Sequence, residues 1–157
     1  MPRLLSLAIV LTVCLRGDAP PVGGLLFVPA PGWAQTRSGR EPATATVANV
    51  SLQDEAGGMP QRTLRRLPPD GVVITATLFP PGPWSAGFRK RTLPLSLSDA
   101  DVRHGWEGQP ASNVPEYVLW QQVNGSLLDV RVYFSTQHPS KDLATRAQAE
   151  LARLTVP

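Results

Sequence analysis

A chain of 157 residues, 42% hydrophobic and 17% charged, is the size of one ordinary domain with a modest core, and its 17 prolines and 13 glycines favour a turn-rich fold over a helix bundle. The formal charge of +3 is spread over 15 basic and 12 acidic residues, a balance that argues against electrostatic binding to nucleic acid. Cys14 is the only cysteine, so intramolecular disulfides are excluded, and a mature domain without it has neither a cysteine nucleophile nor a thiolate zinc site.

Met1-Pro2-Arg3 followed by the mostly apolar stretch Leu4 to Leu15 has the charge and length of a signal sequence and is too short to span a bilayer. Residues 1–34 therefore read as a signal peptide-like leader of an exported protein, secreted or associated with the cell envelope, with cleavage expected after Ala34 because Gly32 and Ala34 are small. The polar residues 35–43, with Pro42, read as a flexible lead-in, and 44–157 as a single domain.

Within that domain Thr44 to Leu52 alternates, with Thr46, Ala48, Val50 and Leu52 on one side, and predicts a first strand. Pro60 to Leu67 predicts a short helix with Leu64 and Leu67 inward, stopped by Pro68-Pro69; Asp70-Gly71 then turns the chain into the β-branched strand Val72 to Phe79. Pro80 to Phe88 reads as a Pro/Gly-rich loop carrying Trp84, and Arg91 to Leu97 as an edge strand with Leu93, Leu95 and Leu97 on one face, where Pro94 is tolerated. Ser98 to Val114 reads as a second long loop.

The strongest local signal is Asn124-Gly125 between Glu116–Val123 and Ser126–Thr136, the dipeptide that best accommodates the two positive φ values of a type I′ hairpin turn. That turn pairs Val123 with Ser126, Gln121 with Leu128, Leu119 with Val130 and Tyr117 with Val132 on a core face. The opposite face pairs Gln122 with Leu127, Trp120 with Asp129, Val118 with Arg131 and Glu116 with Tyr133 and is expected to be partly exposed. Ser140 can cap a final helix reaching about Leu154, with Asp142 in its first turn and Leu143, Ala147, Leu151 and Leu154 in one stripe. The expected fold is α+β, a mainly antiparallel sheet of four to five strands with the C-terminal helix on one face.

Leu67-Pro68-Pro69-Asp70-Gly71-Val72-Val73, Gly105-Trp106-Glu107-Gly108-Gln109-Pro110 and Leu128 to Phe134, with Thr136-Gln137 and Pro139-Ser140, carry a resemblance. Over residues 64–157 the chain resembles uncharacterised small exported or membrane-associated proteins of high-GC Gram-positive bacteria. That group has no established activity, so the resemblance implies a compartment and a domain extent without a function.

Asp99, Asp101, His104 and Glu107 put three carboxylates and an imidazole within nine residues, donor chemistry adequate for a metal ion, although the spacing fits neither an EF-hand loop nor a zinc helix. No catalytic residues are assigned, since the serines lack an elbow sequence and neither His104 nor His138 has a recognisable partner; no cofactor is expected. The aromatic pattern points further: Trp84 and Trp106 in long loops, with Trp120, Arg131 and Tyr133 on the mixed hairpin face, are residue types enriched at interaction hot spots. The expectation is a non-enzymatic domain binding a protein, an envelope component or a small ligand through these residues. The alternatives are a small metal-dependent or hydrolytic enzyme using residues 99–107, and a structural component of an envelope assembly. The basic clusters Arg62/Arg65/Arg66 and Arg89-Lys90-Arg91 suit peripheral contact with an anionic membrane surface.

Overall fold

The computed structural model describes residues 24–38, 40–54, 59–90, 92–104 and 114–156; the side chains of Trp84, Ser85 and His104 fall outside that description. In chain order the elements are β1 (Leu26–Phe27), β2 (Ala34–Ser38), β3 (Ala43–Ala48), α1 (Gln61–Leu64), β4 (Val72–Phe79), β5 (Asp101–His104), β6 (Pro115–Val123), β7 (Ser126–Phe134), α2 (Lys141–Leu151) and β8 (Leu154–Thr155). Six strands form one antiparallel sheet in the order β2-β3-β4-β7-β6-β5, and β1 pairs with β8 in a separate antiparallel ribbon. The α+β class with a C-terminal helix holds, while the expected four to five strands become six in the main sheet and two beside it.

The hairpin at the centre follows from its turn. Asn124 and Gly125 both have positive φ, +49° and +84°, and the register they impose pairs Val123 with Ser126, Gln121 with Leu128, Leu119 with Val130 and Tyr117 with Val132. Leu119, Leu128, Val130, Val132 and Phe134 thereby share one face, where they join Val72, Ile74 and Ala76 of β4, Ala45 and Val47 of β3, and Leu143, Ala147 and Leu151 of α2 in the main core. Ser140 caps α2 by accepting the Leu143 N–H at 3.2 Å, and the helix stops at Leu151, so that Leu154 enters the core from β8.

The N-terminal boundary differs from expectation. Residues 34–38 of the supposed leader end and lead-in are β2, paired along β3, and Leu25 and Phe27 are buried in the main core. The boundary expected after Ala34 thus falls inside the folded unit. Side chains hold this segment: Arg37 donates to the Phe27 carbonyl at 2.8 Å, Gln35 donates to the same oxygen, and the buried Glu150 of α2 accepts the Ala30 N–H at 3.1 and 3.2 Å. Burial pushes the Glu150 carboxyl above its ordinary range, against the opposing pull of the Ala30 N–H and of Arg153, whose guanidinium lies 3.6 Å away. Apolar residues that resemble a leader's flank and apolar residues that fill a core are the same residue types, so composition alone does not separate the two.

Three further expectations are corrected. The first strand ends at Ala48, not Leu52, because the Asn49 carboxamide accepts the Val72 N–H and donates to the Asp70 carbonyl, both at 2.7 Å, and so takes over where the ladder stops. Of the strand expected at 91–97, the described residues 92–97 are not in a strand. Pro94 brings no N–H, and the segment is fastened instead by Gln148 of α2, which accepts the Leu97 N–H at 2.7 Å and donates to the Leu95 carbonyl at 3.0 Å. Finally, part of the expected loop 98–114 is strand β5, with Asp101 opposite Val118 and His104 opposite Pro115.

The second face of the sheet carries a smaller apolar cluster of Ala48, Leu64, Val73 and Tyr133, flanked by Val50, Leu52 and Leu67. The short helix α1 is set over it by Asp54, whose carboxylate accepts the N–H groups of Arg62 and Thr63 and the Thr63 hydroxyl, each at 2.8 Å. Partial burial raises the Asp54 carboxyl, but these hydrogen bonds outweigh it and hold the group below its ordinary value.

Candidate functional site

The outer face of the β6–β7 hairpin, opposite the main core, gathers the residues on which the functional expectation rested. Alternation along the two strands places Glu116, Val118 and Trp120 of β6 beside Tyr133, Arg131 and Asp129 of β7 on this side. Arg131 lies between two acids. Its guanidinium donates to Glu116 at 3.0 Å and forms a three-bond fork with Asp129 at 2.9 to 3.2 Å. Glu116 also accepts the Tyr133 hydroxyl at 2.9 Å.

The electrostatics of this chain are self-consistent. Burial works against the charge on Arg131, but the Asp129 hydrogen bond and charge overcome it and raise the guanidinium above its ordinary value. Burial also raises the Tyr133 phenol, and the nearby Glu116 charge raises it further, so Tyr133 stays protonated and serves as a donor. Tyr133 is only 3% exposed and belongs to the second apolar cluster. It therefore supports the face from beneath, and of the expected binding residues it is the one with least surface open to a partner among those whose side chains are described.

Trp120 is different. It is 36% exposed, among the few large apolar side chains exposed in the described residues. Its ring meets the edge of Phe88 at a centroid distance of 5.8 Å and an angle of 86°, and the Arg103 guanidinium carbon sits 4.4 Å from the ring centroid. The three come from separate elements: Trp120 from β6, Arg103 from β5, and Phe88 from the residue after a 3-10 segment at Pro83–Gly87. Quadrupole-directed contacts of this kind hold a ring in one orientation while leaving part of it open.

Of the five aromatic and arginine residues expected to act together, Trp120, Arg131 and Tyr133 share this face. Trp106 and the side chain of Trp84 lie outside the described residues. Phe88 and Arg103 were not anticipated. Arg103 was hidden because Asp101-Val102-Arg103 is too short a run to announce a strand, and only the pairing of β5 with β6 brings it to Trp120.

Two of the four residues considered for a metal have described side chains. Asp99 belongs to a 3-10 turn at Leu97–Asp99, Asp101 starts β5, the His104 side chain and Glu107 lie outside the description, and no group of three or more potential metal ligands occurs among the described residues. No helix among the described residues is long and apolar enough to cross a membrane. Comparison with protein-family models, curated proteins and solved structures finds no significant match.

Proposed function

We propose that this chain is an exported, non-enzymatic binding domain that engages a protein of the cell envelope through the Trp120 face of its central hairpin. The observation that carries the reading is Trp120 itself: a large ring left 36% exposed yet oriented by Phe88 and Arg103. A ring of this kind supplies contact area at low entropic cost, the property that enriches tryptophan at binding hot spots. The Arg131–Glu116–Tyr133 chain beneath and beside it fixes the platform, so little has to order when a partner arrives. Trp120 with the adjacent Arg103 suits a partner that presents an apolar side chain next to a carboxylate. Export is supported by the Arg3 and Leu4 to Leu15 pattern, with the leader ending upstream of Leu25 so that β1 stays with the domain.

The test is quantitative capture from the envelope fraction of a native-like host by the wild type and by Trp120→Thr and Arg103→Ala variants of unchanged fold. The reading expects a protein retained stoichiometrically by the wild type, with affinity at least tenfold weaker in each variant. Identical retention by all three proteins would remove Trp120 from any binding role.

A further inference from the structure

The six-stranded sheet ends on two strands that meet solvent differently. Every residue of β2 is half-buried, and Gln35 and Arg37 commit their side chains to the Phe27 carbonyl. Asp101, Val102 and Arg103 of β5 are exposed, and Val102, at 49%, is the most open of the large apolar side chains exposed among the described residues. A sheet edge in that condition is a template for another strand.

The hairpin turn determines which backbone groups of this edge are free. A two-residue turn makes Val123 and Ser126 a hydrogen-bonded pair, so the backbone groups of β6 point to β7 at odd-numbered residues and away from it at even-numbered ones. The Gln122 N–H obeys that parity, donating to the Arg89 carbonyl at 2.9 Å on the side away from β7. Asp101 and Arg103, opposite Val118 and Glu116, therefore direct their backbone groups to β6, while Val102, opposite Tyr117, turns its N–H and C=O outward. The side chains of Asp101 and Arg103 share the Trp120 face, and that of Val102 lies on the other. Arg103 touches the Trp120 ring, yet among the described residues neither Arg103 nor Asp101 forms an ion pair.

We propose that β5 pairs with β5 of a second copy of this chain, antiparallel about a two-fold axis through Val102. On that axis Val102 meets its counterpart, and the two exchange both of the hydrogen bonds that a single chain leaves open. The same register sets Asp101 of each copy opposite Arg103 of the other, giving two opposite-charge pairs where cross-strand side chains come closest. A slip of two residues either way would set Asp101 against Asp101 or Arg103 against Arg103, so charge also fixes the register. Asp101-Val102-Arg103 is thus complementary to its own reverse, as an isologous contact requires. The strand is only four residues long, and the dimer is correspondingly weak.

The test is sedimentation equilibrium of the full chain at concentrations up to about 1 mM, for the wild type and for Asp101→Arg, Arg103→Asp and Val102→Pro variants. The proposal expects a monomer–dimer equilibrium in the wild type, weakened at least tenfold in each variant. Val102→Pro removes an N–H that faces away from β6, so the fold is retained. Mixing Asp101→Arg with Arg103→Asp sets every charge opposite its complement and should restore association, as a heterodimer, to within about threefold of the wild type. Asp101→Arg and Val102→Pro spare Phe88, Arg103 and Trp120, which keeps this contact distinguishable from the protein-binding reading. A wild type that stays monomeric throughout, a dimer indifferent to any of the three substitutions, or no gain on mixing would each overturn it.

Discussion

The two faces of β6 carry opposite misfits. On the core face, among Leu119, Val123, Leu128 and Val130, sits the polar Gln121; on the outer face, beside the Arg131–Glu116–Asp129 network, sits the partly open ring of Trp120. Leu119, Leu128, Val130 and Val132 are apolar against the main core, and Arg131, Glu116, Asp129 and Tyr133 satisfy one another on the other side. A sequence selected only to fold would exchange the characters of residues 120 and 121. Where local consistency breaks within an otherwise consistent element, function is the usual reason, and the contrast can be broken or sharpened by substitution.

The largest effect is expected on the matched part of the core face. Leu119→Ala, at a residue 1% exposed, should destabilise the domain by about 2 to 5 kcal/mol, read as a shifted denaturant midpoint with unchanged slope. On the outer face Glu116→Ala removes an acceptor shared by Arg131 and the buried Tyr133 hydroxyl, and should cost about 1 to 3 kcal/mol in the same assay. The Tyr133 phenol offers a pH check on that network. Its folded-state value is raised, so its contribution is fully present below the ordinary tyrosine value of 10.0 and is lost as the pH climbs above it; Tyr133→Phe should flatten this alkaline decline in stability.

The two misfits should matter less to the fold. Gln121→Leu should stabilise the fold by about 1 kcal/mol, because a buried acceptor without a partner disappears. The smallest effect belongs to Trp120→Thr, expected to cost about 1 kcal/mol or less through the lost Phe88 and Arg103 contacts, with strand propensity retained.

The hairpin was legible because Asn124-Gly125 and strict alternation are local signals, and they placed Trp120, Arg131 and Tyr133 on one face without reference to the rest of the chain. What escaped was set by distant partners. Nothing local in Ala34 to Ser38 announces that β3 will pair with it, and Leu25 and Phe27 read as the flank of a leader until Glu150 and β8, more than a hundred residues later, hold them in place. The course of residues 92–97 was illegible for a related reason: the alternation of Leu93, Leu95 and Leu97 imitates a strand, whereas Gln148 of α2 supplies the hydrogen bonds that Leu95 and Leu97 make. Gln121 was correctly placed opposite Leu128 on the core face.

The most direct measurement is the thermal midpoint of the Trp120→Thr/Gln121→Leu double variant. If neither residue is kept for the fold, the gain at 121 offsets the loss at 120 and the midpoint stays within about 3 °C of the wild type. A fall of about 10 °C or more would show that the pair is kept for the fold and would contradict the reading of Trp120 as a ring left open for binding.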